Sequence, residues 1–334
     1  MRRMHIDGDL KLMEVGWASG GFLAQCHVEG KVLAGSQQQY FARNCSWSEW
    51  TGGAWSLLLT PGQYALEKPI IISRPGTIVF GLGLPTLRPT AGNPCVQVDA
   101  GEGVILSGLM LDAGEPVSET LIRVGTPGRR AGSVGNPTSL HDVFIRVGGP
   151  GPGGIRTMVE IHDDHVLCDN LWLWRADHGK GVSWTSNPNE TGLVVTGAQV
   201  TCYGLAVEHT QGRQVVWSGE DGQVFFFQSE MPYDPPSQDQ WMDGTSRGFS
   251  AYWIDPKVRR HQAVGKGVYH VFKKAPVIAD RAIEAPEGTG IRLRRMFTVR
   301  LAGGQPGSDI AHILNQQTGQ VHPSFGIIRT LDSH

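Results

Sequence analysis

The chain has 334 residues, enough for one large single-core domain or two ordinary ones, with 29 basic against 31 acidic side chains and a formal charge of -2. That balance leaves no basic stripe for a phosphate backbone, so nucleic acid is not an expected partner. No apolar run is long enough to span a membrane, and the start, MRRMHIDGDLKLMEVGW, lacks the apolar core of a secretion signal.

Residues 1–56, including GSQQQYFARN at 35–44, follow no repeated pattern and are expected to form an N-terminal arm or cap. From residue 57 onward the 45 glycines and 20 prolines punctuate apolar, β-branched segments, the composition of many short strands and turns. One template recurs: an aliphatic residue, an apolar residue five positions on, and usually another at seven. It stands as VILSGLML from Val104, VLCDNLWL from Val166, VTCYGLAV from Val200 and, more weakly, IRLRRMFT from Ile291. Period-two alternation with Gly or Asn before the second apolar pair predicts a strand, a bend and another strand. Irregularly spaced copies predict stacked coils, so the expected fold class is all-β, a single-stranded right-handed parallel β-helix of the pectin-lyase type over 57–334. A β-sandwich would also have many short strands, but these are not joined by the two-residue Asn-Gly or Asp-Gly hairpins that an antiparallel meander favours.

Five cysteines without CxxC spacing indicate neither a zinc site nor a disulfide framework; Cys168 and Cys202 read as small core residues. Histidines show no HExxH or similar spacing, so no metal site and no cofactor is expected.

Trp172, Trp174, Trp184 and Trp217 fall in the same coils as several acidic residues. A sugar ring presents an apolar face of C–H bonds, so an aromatic platform beside carboxylates suits a carbohydrate. Trp172 and Trp174 alternate with Leu171 and Leu173; if the leucines point inward, the tryptophans point out, core packing being the alternative. Glycoside hydrolysis needs one acid to protonate the leaving oxygen and a second group to activate water or to attack. Glu220 and Asp221 of SGEDG sit at an expected turn, where acidic residues also occur as solvated caps. Glu230 leaves the apolar run at Phe225–Gln228 for Met231, Pro232 and Tyr233, an aromatic setting suited to a general acid. Asp177 and His178 of WRADHG are either a substrate clamp or a pair holding a bend. Asp163 and Asp164 of IHDDHV, with Arg175, are the residues that a calcium-dependent lyase would use, although a coil turn explains them equally.

Five blocks in order, TPGQYALEKPIIISRPGTIVFGLGLPTLRP (60–89), SLHDVFIRVGG (139–149), DNLWLWRADHG (169–179), GLAVEH (204–209) and QSEMPYDPP (228–236), resemble glycoside hydrolase family 55. That family comprises β-1,3-glucanases built from two side-by-side right-handed β-helices. The likeness covers about residues 57–300 and corresponds to the second helix, WTGGAW running straight into SLLLTPG with the first helix nearly absent. The resemblance implies inverting hydrolysis of a glucan, a polysaccharide or oligosaccharide partner, and extracellular action. It implies Glu230 as general acid and Glu220, or Asp221 if the alignment slips by one, as the group that positions water. Trp174, Trp217 and Tyr233 are then expected to line subsites, with Asp177, His178, Glu208 and Asp234 also binding substrate. In the family the first helix helps hold the water. Its groups are expected to come here from Ser36, Gln37, Gln38 or Gln39, or from a second copy of the chain in a homo-oligomer; failing that, the chain would bind glucan without cutting it.

Overall fold

The computed structural model describes residues 1–12, 21–34, 39–43, 45–51, 54–321 and 328–333; Ser36, Gln37 and Gln38 lie outside them, and Gln39 begins a strand. Among the described residues there is no helix. Two long sheets, of fifteen and nine strands, are built almost wholly of parallel pairs between successive coils. This is the right-handed parallel β-helix expected.

The recurring template is one coil edge. In Leu167–Arg175, Cys168, Leu171 and Leu173 are buried while Asp169, Asn170 and Trp172 are exposed. The bend is a single residue in the left-handed backbone region at the same step of each rung: Gly108, Asp142, Asn170, Gly204, Phe226, Gly265 and Arg295, with φ between 51° and 72°. Glycine adopts that conformation freely, and Asn or Asp tolerates it. Asn170 adds a bond along the column, its amide donating to Asp142 Oδ1 at 2.6 Å.

Inward residues stack in register from coil to coil, as in Val143, Leu171 and Leu205, and form one continuous apolar column from Leu59 to Leu314. Cys168 and Cys202 are register partners within it. Residues 1–56 contribute parallel strands too: Gly21–Ala24 pairs with Gln39–Arg43, and that strand pairs with Ala54–Leu59 of the long sheet. At the other end Ile328–Ser333 runs antiparallel to Ile291–Arg300 and covers that edge. A two-residue hairpin does occur: Met242–Asp243 pairs with Ser246–Arg247 across Gly244, outside both long sheets.

Candidate active site

One file of outward residues along the long sheet carries the polar chemistry. Arg146, Trp174, Glu208, Glu230 and Tyr269 are successive register partners, one from each coil. Stacked rungs lie about 4.8 Å apart, so side chains far apart in sequence become neighbours. The first four of these, together with Met110, Trp172, Asp177, His178, His209 and Tyr233, line a cleft of about 470 Å³.

The file gains its shape from the turn after each strand. Arg175 ends its strand pointing inward, fully buried, and its guanidinium grips Asp234 through two bonds of 2.9 Å. The same guanidinium donates to the carbonyls of Asn187 and Ser183 at 2.9 and 3.0 Å. This tie holds the loops after residues 175 and 230 against each other. A charge so buried is tolerable because it is paired and fully hydrogen-bonded. Arg146 is likewise fixed by Asp112, at 2.7 and 3.0 Å.

Three carboxylates face the cleft. Glu230 accepts a hydrogen bond from the Tyr233 hydroxyl. Burial, then that carboxylate, push the Tyr233 phenol well above its ordinary range, so it stays a donor. Glu208 accepts from the Trp172 indole N–H at 2.8 Å. Trp172 stacks on Trp174 with ring centroids 5.6 Å apart, and Trp174 in turn lies 5.2 Å from His178. Leu171 and Leu173, which alternate with the two tryptophans, are buried, so the outward alternative is the one realised.

Asp177 is the third. His178 Nδ1 lies 2.8 Å from its Oδ1, and His209 Nε2 lies 3.9 Å from that same oxygen and 3.9 Å from Glu230 Oε2. The carboxylate oxygens of Asp177 and Glu230 thus stand within twice that distance of each other. His209 is buried, and its Nδ1 sits 3.0 Å from the Met231 carbonyl, which can only accept; Nδ1 therefore carries a proton, and Nε2 points between the two acids. Burial alone would raise the pKa of Asp177. The charge of His209 and the bond from His178 outweigh it and hold the carboxyl below its usual range.

The LAM55 pectate lyase-like domain matches residues 51–230 of this chain. The chain belongs to that family. The exo-β-1,3-glucanase of Streptomyces sp. SirexAA-E is 32% identical over 411 aligned positions, covering 94% of this chain and 67% of the relative. The solved structure of sacteLam55A from that strain superposes with a TM-score of 0.79 at 29% identity, over 99% of this chain and 77% of that one. A variant of sacteLam55A in complex with glucose matches equally, with a TM-score of 0.79 at 28% identity. The likeness to glycoside hydrolase family 55 seen in the five blocks is thereby borne out.

Of the residues singled out from sequence, the cleft gathers Trp172, Trp174, Asp177, His178, Glu208, Glu230 and Tyr233. It does not gather Glu220 and Asp221. Both precede the nine-residue strand that Glu230 ends, so they stand at its far edge. There Glu220 accepts from the backbone amides of Arg259 and Arg260 at 3.1 Å each, and Asp221 is paired with the Arg260 guanidinium at 2.5 and 2.7 Å. Trp217 is fully buried, its indole donating to the Gly219 carbonyl at 3.1 Å, and cannot meet a sugar. Asp234 is the partner of Arg175 and shapes the loop. Trp184 packs beneath the Arg175 guanidinium, 5.5 Å away, and lines a separate cavity of about 400 Å³ in which Glu190 is the lone carboxylate. Asp163 is sealed inside the coil, and the strand Leu167–Arg175 separates it and Asp164 from Arg175. His209, beside Glu208 in the GLAVEH block, was not foreseen; a histidine following an outward glutamate at a strand end is the signal that marked it.

Proposed function

We propose that this chain is a glycoside hydrolase that cleaves β-1,3-linked glucan at the cleft around Glu230. Family membership supports the substrate class, and the meeting of Glu230, Asp177 and Glu208 beside the stacked Trp172–Trp174 pair carries the assignment of the site. Glu230 gives its proton to the glycosidic oxygen as the C–O bond breaks. Asp177, kept ionised by its histidine neighbours, takes a proton from the water that attacks the anomeric carbon from the opposite face. Inverting enzymes hold the two groups roughly 6.5–9.5 Å apart so that a water fits between them, and the bound of twice 3.9 Å between Asp177 and Glu230 reaches into that range.

The remaining residues position these. Tyr233 orients the Glu230 carboxyl, His209 spaces the two acids, and Glu208 anchors the indole of Trp172. In this scheme the second acid is Asp177 and not Glu220 or Asp221. Because the chain itself supplies Asp177 and Glu208, a second subunit is not needed to complete the water site. Action on a polymeric glucan fits an extracellular setting.

Proton NMR of laminarin during hydrolysis tests the reading. Inversion at a β-linkage releases reducing ends first in the α form. Early β product would contradict the inverting scheme, and absence of release would contradict hydrolysis.

A further inference from the structure

Away from the cleft, the first two rungs of the solenoid gather a different set of side chains. His5 and His27 are register partners on adjacent parallel strands, so their imidazoles leave the same face, with centroids 4.8 Å apart and ring planes tilted by 36°. Asp7 and Glu29 stand two residues beyond each, where strand alternation returns to that face. Glu29 Oε1 lies 3.2 Å from His5 Nε2, and Asp7 Oδ1 lies 2.9 Å from the same nitrogen. The ligand-capable atoms of His5, His27 and Glu29 all fall within 4.8 Å of one another. On the next rung, Ser46 Oγ engages His27 Nδ1 at 2.5 Å. That contact fixes the ring and leaves Nε2 as its other nitrogen, as an outer partner does for a metal-bound imidazole.

We propose that His5, His27 and Glu29, with Asp7 as a fourth donor, bind a divalent cation of the zinc class. Two carboxylates converging on one imidazole nitrogen call for a positive charge between them, and two imidazoles with carboxylate oxygens form a set that zinc takes tetrahedrally. Calcium and magnesium favour all-oxygen sets instead. The sequence reading expected no metal because these ligands are a full coil apart, His27 standing 22 positions after His5, and no short-range motif records that. The ion would tie the strand His5–Ile6 to the strand His27–Val28.

The test uses the untagged full chain, stripped with chelator and dialysed, then titrated with Zn²⁺ against a chromophoric competitor. One equivalent should bind. His27→Ala and Glu29→Gln should each weaken binding by roughly 100-fold, and Ser46→Ala by roughly 10-fold. All three should fold, as judged by circular dichroism, and release sugar from laminarin at the wild-type rate. Absence of zinc binding would mean that these side chains only pair with one another. Binding unchanged in His27→Ala and Glu29→Gln would place the ion at other histidines. Either result overturns the site.

Discussion

His209 is the residue on which the arrangement of the cleft turns. Its Nε2 is equidistant from Asp177 and Glu230, and its charge is the chief influence lowering the pKa of Asp177. In His209→Asn that influence is gone and burial dominates, so Asp177 should hold its proton to higher pH. The acid limb of kcat/KM should therefore move toward neutrality, and kcat/KM at its optimum should fall by about 10²-fold through lost positioning. A pH–rate profile reads both. An unmoved acid limb would mean that Asp177 is not the base. Much of this cleft was legible in the sequence: Glu230 was marked by its exit from a buried run, and Trp174, Asp177, His178 and Tyr233 by aromatic and acidic neighbours. Trp217 lies away from the cleft because its side chain faces the core, and Glu220 and Asp221 lie away from it for another physical reason. In a β-helix, residues meet across coils, as Glu208 meets Glu230 at a separation of 22 and Glu230 meets Tyr269 at 39. Residues ten apart on one strand lie at opposite edges, so closeness in sequence misled.

At the scale of the element, the bend column explains why the template has Gly or Asn at its fifth position. Phe226 breaks the rule, with a bulky ring at φ 66° that is 64% exposed and gains little from burial. Left-handed backbone costs an ordinary residue roughly 1–2 kcal/mol. Phe226→Asn should stabilise the chain by about 1 kcal/mol, whereas Asn170→Val should destabilise it by at least that amount and lose the bond to Asp142. Urea unfolding of the two variants checks the signs; a destabilised Phe226→Asn would show that the ring is held by contacts stronger than the strain. The template was readable because its apolar positions are all buried and its bend has a residue signature. The strands within residues 1–56 were not, since the first seven described are only two to five residues long and the small cluster of Leu23, Cys26 and Ala34 gives no sustained period.

For the whole molecule, stacking makes a rigid wall out of irregular repeats. The interior is so well sealed that Lys266 lies fully buried, its ammonium nitrogen 5.0 Å from the Tyr252 ring centre, and burial pushes its pKa down to about 7. Such a wall holds Arg146, Trp174, Glu208 and Glu230 in one line without needing any of the turns to be alike. Catalytic groups on strands are placed more firmly than groups on loops, and the loops bearing Asp177 and Tyr233 are secured by the buried Arg175–Asp234 pair. The most direct measurement is reducing-end release from laminarin by the wild type and by Glu230→Gln, which keeps the shape of the side chain and removes its transferable proton. Turnover should fall by at least about 10²-fold while laminarin still quenches tryptophan fluorescence in the variant. Equal turnover in Glu230→Gln would contradict the assignment of Glu230 as the acid.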